Sequence, residues 1–184
     1  MHKSYKNLFK NKKVIITGHT GFKGSWLTAW LLKLGAKITG ISLNIPTNPS
    51  HFKTLEIDKK ITNFFTDIRE FKKFKKIINK TKPDFIFHLA AQALVKESYQ
   101  EPLSTFSINT MGTLNLMEIL KSYDRKCIVV IITSDKVYKN LESKKGYKET
   151  STLGGIDPYS GSKAAAELVI HSYLNSYFFK KNKK

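Results

Sequence analysis

The chain has 184 residues, 41% of them hydrophobic and 12% aromatic, which is enough for one buried core and too apolar for disorder by composition. The net charge of +18 hints at a polyanion, but all but two of the 32 basic residues are lysines scattered along the chain. Arg69 and Arg125 are the only arginines, so the excess reads as solvated surface, and neither nucleic acid nor a membrane is expected as a partner. No apolar run approaches the ~18–20 residues that span a bilayer, no apolar leader follows Met1, and one cysteine excludes an intrachain disulfide or a Cys-based metal cluster, so a cytoplasmic protein is expected.

In chain order, residues 1–10 read as an N-terminal extension and 11–184 as one α/β domain. Val14 to Thr17 is four β-branched residues in a row and reads as a buried strand. It runs into Thr17-Gly18-His19-Thr20-Gly21-Phe22-Lys23-Gly24, which opens a helix whose apolar residues Trp26, Leu27, Trp30, Leu31 and Leu32 keep a helical period up to Gly35. Three glycines between a strand and a helix suit a dinucleotide. Gly18 permits a tight turn, Gly21 lets the backbone approach a pyrophosphate, Gly24 permits close packing, and the helix N-terminus favours negative charge.

Lys37 to Leu43 reads as the second strand, and Asn44 stands at its end, where such folds contact the adenosine ribose. Asn44 can hydrogen-bond a 2′-hydroxyl and does not repel a 2′-phosphate, so charge at this position does not decide between NAD and NADP. Ile61 to Thr66 is the third strand. Asp67 follows it, suited either to accept from an adenine amino group or to cap the helix beginning near Arg69. Phe71 to Asn79 is a basic amphipathic helix, and Asp84 to Leu89, after Pro83, a fourth strand.

Pro102 to Tyr123 reads as a long helix, Cys127 to Thr133 as the fifth strand, and Pro158 to about Phe179 as the last helix. Cys127 lies in an apolar run and reads as an inert buried thiol. Strands alternating with helices predict a doubly wound parallel sheet of Rossmann type. Thr133-Ser134-Asp135-Lys136 follows the fifth strand, at the end of the sheet where ligands bind in such folds. Tyr159 and Lys163 are four apart on a helix and share a face, so the ammonium favours the phenolate and makes Tyr159 a general base. Ser134 is placed to hydrogen-bond the reacting oxygen, and Asp135 and Lys136 add an acid and a base that a plain alcohol dehydrogenase does not need.

These pieces resemble the extended short-chain dehydrogenase/reductase family, and within it the nucleotide-sugar 4,6-dehydratases. The resemblance is carried by Thr17 to Trp26, Pro46 to Ser50, His88 to Gln92, Ser98-Tyr99, Asn109 to Thr113, Thr133 to Lys136 and Leu153 to Lys163. It implies NAD as cofactor and CDP-glucose as the nucleotide-sugar substrate. The reaction would oxidise C4, eliminate water across C5–C6 and return the hydride to C6, giving a 4-keto-6-deoxy sugar.

By position, the resemblance implies a redox triad of Ser134, Tyr159 and Lys163, with Asp135 protonating the leaving hydroxyl and Lys136 taking the C5 proton. Asn109 would hold the architecture and a relay water. Cofactor contacts would fall on Gly18, Thr20, Gly21, Phe22, Lys23, Gly24, Asn44, Asp67, Ile68, Leu89, Ala90, Ala91, Tyr159 and Lys163. Members of the family are longer and usually dimerise, so this chain is expected to be an N-terminal portion that stops before the substrate-binding region.

Overall fold

A computed structural model describes residues 7–179. These residues fall into two compact units, 7–90 with 124–132, and 91–123 with 133–179.

The first unit holds the sheet: β1 (Lys13–Thr17), α1 (Phe22–Lys33), β2 (Lys37–Ser42), the short α2 (His51–Thr54), β3 (Thr62–Phe65), α3 (Phe71–Thr81), β4 (Phe85–His88) and β5 (Ile128–Ile131). All five strands are parallel, in the order β3-β2-β1-β4-β5, as a doubly wound Rossmann-type sheet requires. β1 is central because it is apolar on both faces: Val14, Ile15 and Ile16 are wholly buried. Val14, Ile16, Leu31, Leu34, Ala36, Ile38 and Phe85 form a core cluster. Phe9, from the expected extension, joins that core and lies 5.0 Å from the Phe85 ring; residues 1–6 lie outside the described residues.

α3 ends two residues later than the periodicity suggested and buries Phe74, Ile77 and Ile78 while its lysines face solvent. Asp67 does not cap it. The helix starts at Phe71 with Glu70 as its N-cap. Asp67 instead accepts the Arg69 N–H (2.8 Å) and grips the Arg69 guanidinium (2.6 Å), closing a turn ahead of the helix.

The second unit is helical: α4 (Val95–Gln100), α5 (Pro102–Phe106), α6 (Gly112–Lys121) and α7 (Pro158–Tyr173). α5 and α6 are the expected long helix, interrupted by a π-helical turn, Ser107–Met111, with one widened ring of backbone bonds. α4 escaped the sequence reading because six residues, Val-Lys-Glu-Ser-Tyr-Gln, carry too short a period to register. α7 begins at Pro158, as expected: Pro158 occupies the first turn and the Asp157 carboxylate caps it by accepting the Ser160 N–H (2.9 Å). Its last turn is π-helical, Leu174–Phe178. Among the described residues, no helix is long and apolar enough to cross a membrane.

Candidate functional site

In the first unit the candidate positions Gly18 to Gly24, Asn44, Leu89 and Ala90 gather at the turn after β1, beside the point where the strand order reverses between β1 and β4, while Asp67 and Ile68 follow β3. Gly18 has φ +73°, and a Cβ there would lie 2.8 Å from the Ala90 nitrogen, so only glycine fits. A side chain on Gly24 would drive into the Gly18 carbonyl, which is why the helix can start so close to the turn. Gly21 is the N-cap of α1, and no side chain caps that end. A bare, uncapped helix N-terminus over a glycine cradle fits a pyrophosphate.

Thr17 fixes the opposite wall. Its hydroxyl oxygen accepts the N–H groups of Leu89 and Ala90 (3.1 Å each) and therefore donates to His88 Nδ1 (2.8 Å). Leu89 and Ala90 are thus held against the turn by one threonine. Thr20 donates to the Asn44 carbonyl (2.6 Å), so the turn and the end of β2 are tied together. Asn44, Phe22 and Lys23 are exposed, Asp67 is half-buried and paired with Arg69, and Ile68 is buried. Arg69, its salt-bridge partner, lowers the Asp67 pKa and keeps it a carboxylate.

In the second unit the residues gather around the start of α7. Asn109 sits in the π-helical turn and is 1% exposed. Its Oδ1 accepts the Gln92 N–H (2.9 Å), and its Nδ2 donates to the Gln92 carbonyl (3.0 Å) and to Ser162 Oγ (2.9 Å). Thr110 Oγ1 donates to the Ser162 carbonyl (3.0 Å). Ser162 lies between Tyr159 and Lys163, so these bonds set the rotation and height of the helix that carries both. Gln92 is itself pinned, donating to the Leu94 carbonyl and to Thr105 Oγ1 (3.0 Å each). Both amide hydrogens of Asn109 are used in this network. Ala91 precedes it and is half-buried.

Tyr159 is half-buried and Lys163 is buried one turn further along the same helix. Burial pushes the Lys163 ammonium down to about 8, against the opposing pull of the Glu167 carboxylate. Glu167 also accepts the Thr133 hydroxyl (2.6 Å), which anchors the Ser134 segment to α7. Ser134 caps a short 3-10 turn, Asp135–Val137, by accepting the Lys136 N–H (3.2 Å), and its hydroxyl donates to Asp135 Oδ1 (3.2 Å). Asp135 and Lys136 are exposed. Ser134 and Asp135 are therefore neighbours in one turn. Ser162 and Glu167 escaped the sequence reading because their roles depend on contacts 53 and 34 residues away in sequence. Cys127 is half-buried, and burial lifts its thiol to about 11, as expected of an inert cysteine.

Residues 15–182 match the sequence profile of the family described as GDP-mannose 4,6 dehydratase. The chain belongs to that family. It is 47% identical over 173 residues to a CDP-glucose 4,6-dehydratase of Salmonella typhimurium, an alignment covering 94% of this chain and 48% of that protein. It is 31% identical to a CDP-paratose 2-epimerase of Salmonella typhi, covering 90% of this chain and 54% of the relative. Among solved structures, the UDP-glucose 4-epimerase of Thermus thermophilus, determined in complex with NAD, superposes with a TM-score of 0.77 at 29% identity, covering 89% of this chain and 51% of that one. The chain spans about half the length of the curated relatives it matches.

Proposed function

We propose that this chain is the cofactor-binding and proton-transfer half of an NAD-dependent nucleotide-sugar 4,6-dehydratase acting on CDP-glucose. The observation that carries the reading is the pair of constellations in one family member: a glycine turn closed to side chains at Gly18 and Gly24, and a Tyr159/Lys163 helix pinned by Asn109 and tied to the Ser134 segment through Glu167. The likeness to the Salmonella CDP-glucose enzyme supports this substrate.

In this reading the turn at Gly18, Thr20, Gly21, Phe22, Lys23 and Gly24 holds the pyrophosphate, while Asn44, Asp67 and Ile68 face the adenosine. Leu89, Ala90 and Ala91 line the dinucleotide, and Tyr159 and Lys163 hydrogen-bond the nicotinamide ribose. NAD supplies the hydride acceptor and donor of an internally balanced cycle. Tyr159 takes the proton of the sugar C4 hydroxyl, supported by the Lys163 ammonium one turn away, and Ser134 hydrogen-bonds the same oxygen. The resulting 4-keto group acidifies C5. Lys136 takes the C5 proton and Asp135 protonates the C6 hydroxyl, which leaves as water; the hydride would then return to C6 as Lys136 gives the proton back to C5. Asn109, with both amide hydrogens committed to Gln92 and Ser162, acts by positioning α7.

Incubation of the chain with CDP-glucose and NAD, followed by detection of a 4-keto sugar chromophore, tests this function. The expected outcome is 4-keto product above a protein-free control from the wild type, slow because the chain spans about half of its relatives' length, and none from Tyr159→Phe. Near-normal turnover by Tyr159→Phe would overturn the assignment of the base. NAD binding without product from the wild type would reduce the chain to a dinucleotide-binding module.

A further inference from the structure

His19 lies between the glycines of the first turn, where the dinucleotide reading gives it nothing to do. Yet it is wholly buried. Its ring stands on β2 at Gly40, where any Cβ would overlap the imidazole, and Phe52 meets it edge-on at 5.2 Å. A glycine in mid-strand weakens a sheet, so room for this ring comes at a local cost.

The ring heads a chain of hydrogen bonds. His19 Nδ1 lies 2.9 Å from Ser42 Oγ, Ser42 Oγ accepts the Thr20 N–H (3.3 Å), and Thr20 Oγ1 donates to the Asn44 carbonyl (2.6 Å). Burial lowers the His19 pKa, which favours the neutral ring, and Nε2 is buried without a hydrogen-bond partner among the described residues. Ser42 Oγ accepts from Thr20 and shares one further hydrogen bond with Nδ1, as donor or acceptor according to the ring's tautomer. Thr20, Ser42 and Asn44 are thus linked by hydrogen bonds, with His19 at the buried end.

We infer that His19 is a positioning residue for the adenosine ribose: acting through Ser42 and Thr20, it fixes the main chain at Asn44 so that this side chain reads the 2′-hydroxyl. The inference rests on the reading of the first unit as a dinucleotide site. His19 itself touches no ligand. A histidine that merely filled space would support the fold and leave ligand discrimination alone, and this difference can be measured.

The probes are ADP-ribose and its analogue lacking the adenosine 2′-hydroxyl, titrated calorimetrically into the chain. Wild type should prefer ADP-ribose by about tenfold, the value of one good hydrogen bond. His19→Ala should lose that preference by weakening ADP-ribose and sparing the analogue. Ser42→Ala keeps the ring and cuts only the link, so it should lose the preference as well, and it serves where His19→Ala does not fold. His19→Asn, which can still hydrogen-bond Ser42, should recover part of it. An unchanged preference in Ser42→Ala and in a folded His19→Ala would overturn the inference, as would a wild type that binds both ligands equally. A wild type that binds neither would overturn the dinucleotide reading itself.

Discussion

The two units hold their candidate functional residues by opposite means. In 7–90 with 124–132 the working surface is main chain, made available by side chains that are absent at Gly18 and Gly24 and by an uncapped helix end at Gly21. In 91–123 with 133–179 it is side chain, held by a buried polar network in which Asn109, Gln92 and Ser162 satisfy one another. A backbone cradle fails when something is added. A hydrogen-bonded network fails when something is taken away, because each lost partner strands a buried polar group. The first arrangement suits a ligand whose phosphates want N–H groups at fixed spacing. The second suits groups that must exchange protons and so need a set orientation.

The sharpest way to break this contrast is addition in the first unit. Gly24→Val places side-chain atoms inside the Gly18 carbonyl and should destabilise the chain by about 4 kcal/mol or more in urea unfolding. Next comes removal in the second. Asn109→Ala leaves the Gln92 N–H and carbonyl and the Ser162 hydroxyl without their partner, for an expected loss of about 3 kcal/mol by the same measurement.

A third prediction concerns Lys163. Its pKa in the folded chain, about 8, lies below the ordinary value of 10.5, so between these the unfolded chain binds more protons and stability rises with pH. Below pH 8 burial of the charge works fully against folding. Lys163→Met should therefore stabilise the chain at pH 7 by about 1–3 kcal/mol, with the advantage fading as pH approaches 10.5, read as unfolding midpoints across that range. The smallest effect belongs to Asp67→Ala, which breaks a largely surface pair with Arg69 and should cost about 0.5 kcal/mol.

The fold was legible where local pattern and tertiary need agree. Val14 to Thr17, the spaced glycines, and the apolar face of α3 announce a strand, a cradle and a helix from within a few residues each. The capping reading of Asp67 failed because an aspartate after a strand and before a helix satisfies a capping pattern, whereas the arginine two residues on competes more strongly for the carboxylate. The long helix through Asn109 was visible, but its π-helical turn was not, since one widened turn leaves the apolar period almost intact. Tyr159 and Lys163 share a helix and could be paired by spacing alone. The residues that hold them could not: Ser162 needs Asn109, and Glu167 needs Thr133, contacts that exist only once the chain is folded. His19 was hidden for the same reason, its partners lying on β2.

The division of labour between the units is tested most directly by titrating NAD into the wild type, Gly24→Ala and Tyr159→Phe, each first shown to be folded by circular dichroism. The account predicts that Tyr159→Phe binds NAD within about tenfold of the wild type, the value of the one hydrogen bond its phenol oxygen contributes, while Gly24→Ala loses binding. Undiminished NAD binding by folded Gly24→Ala would contradict it.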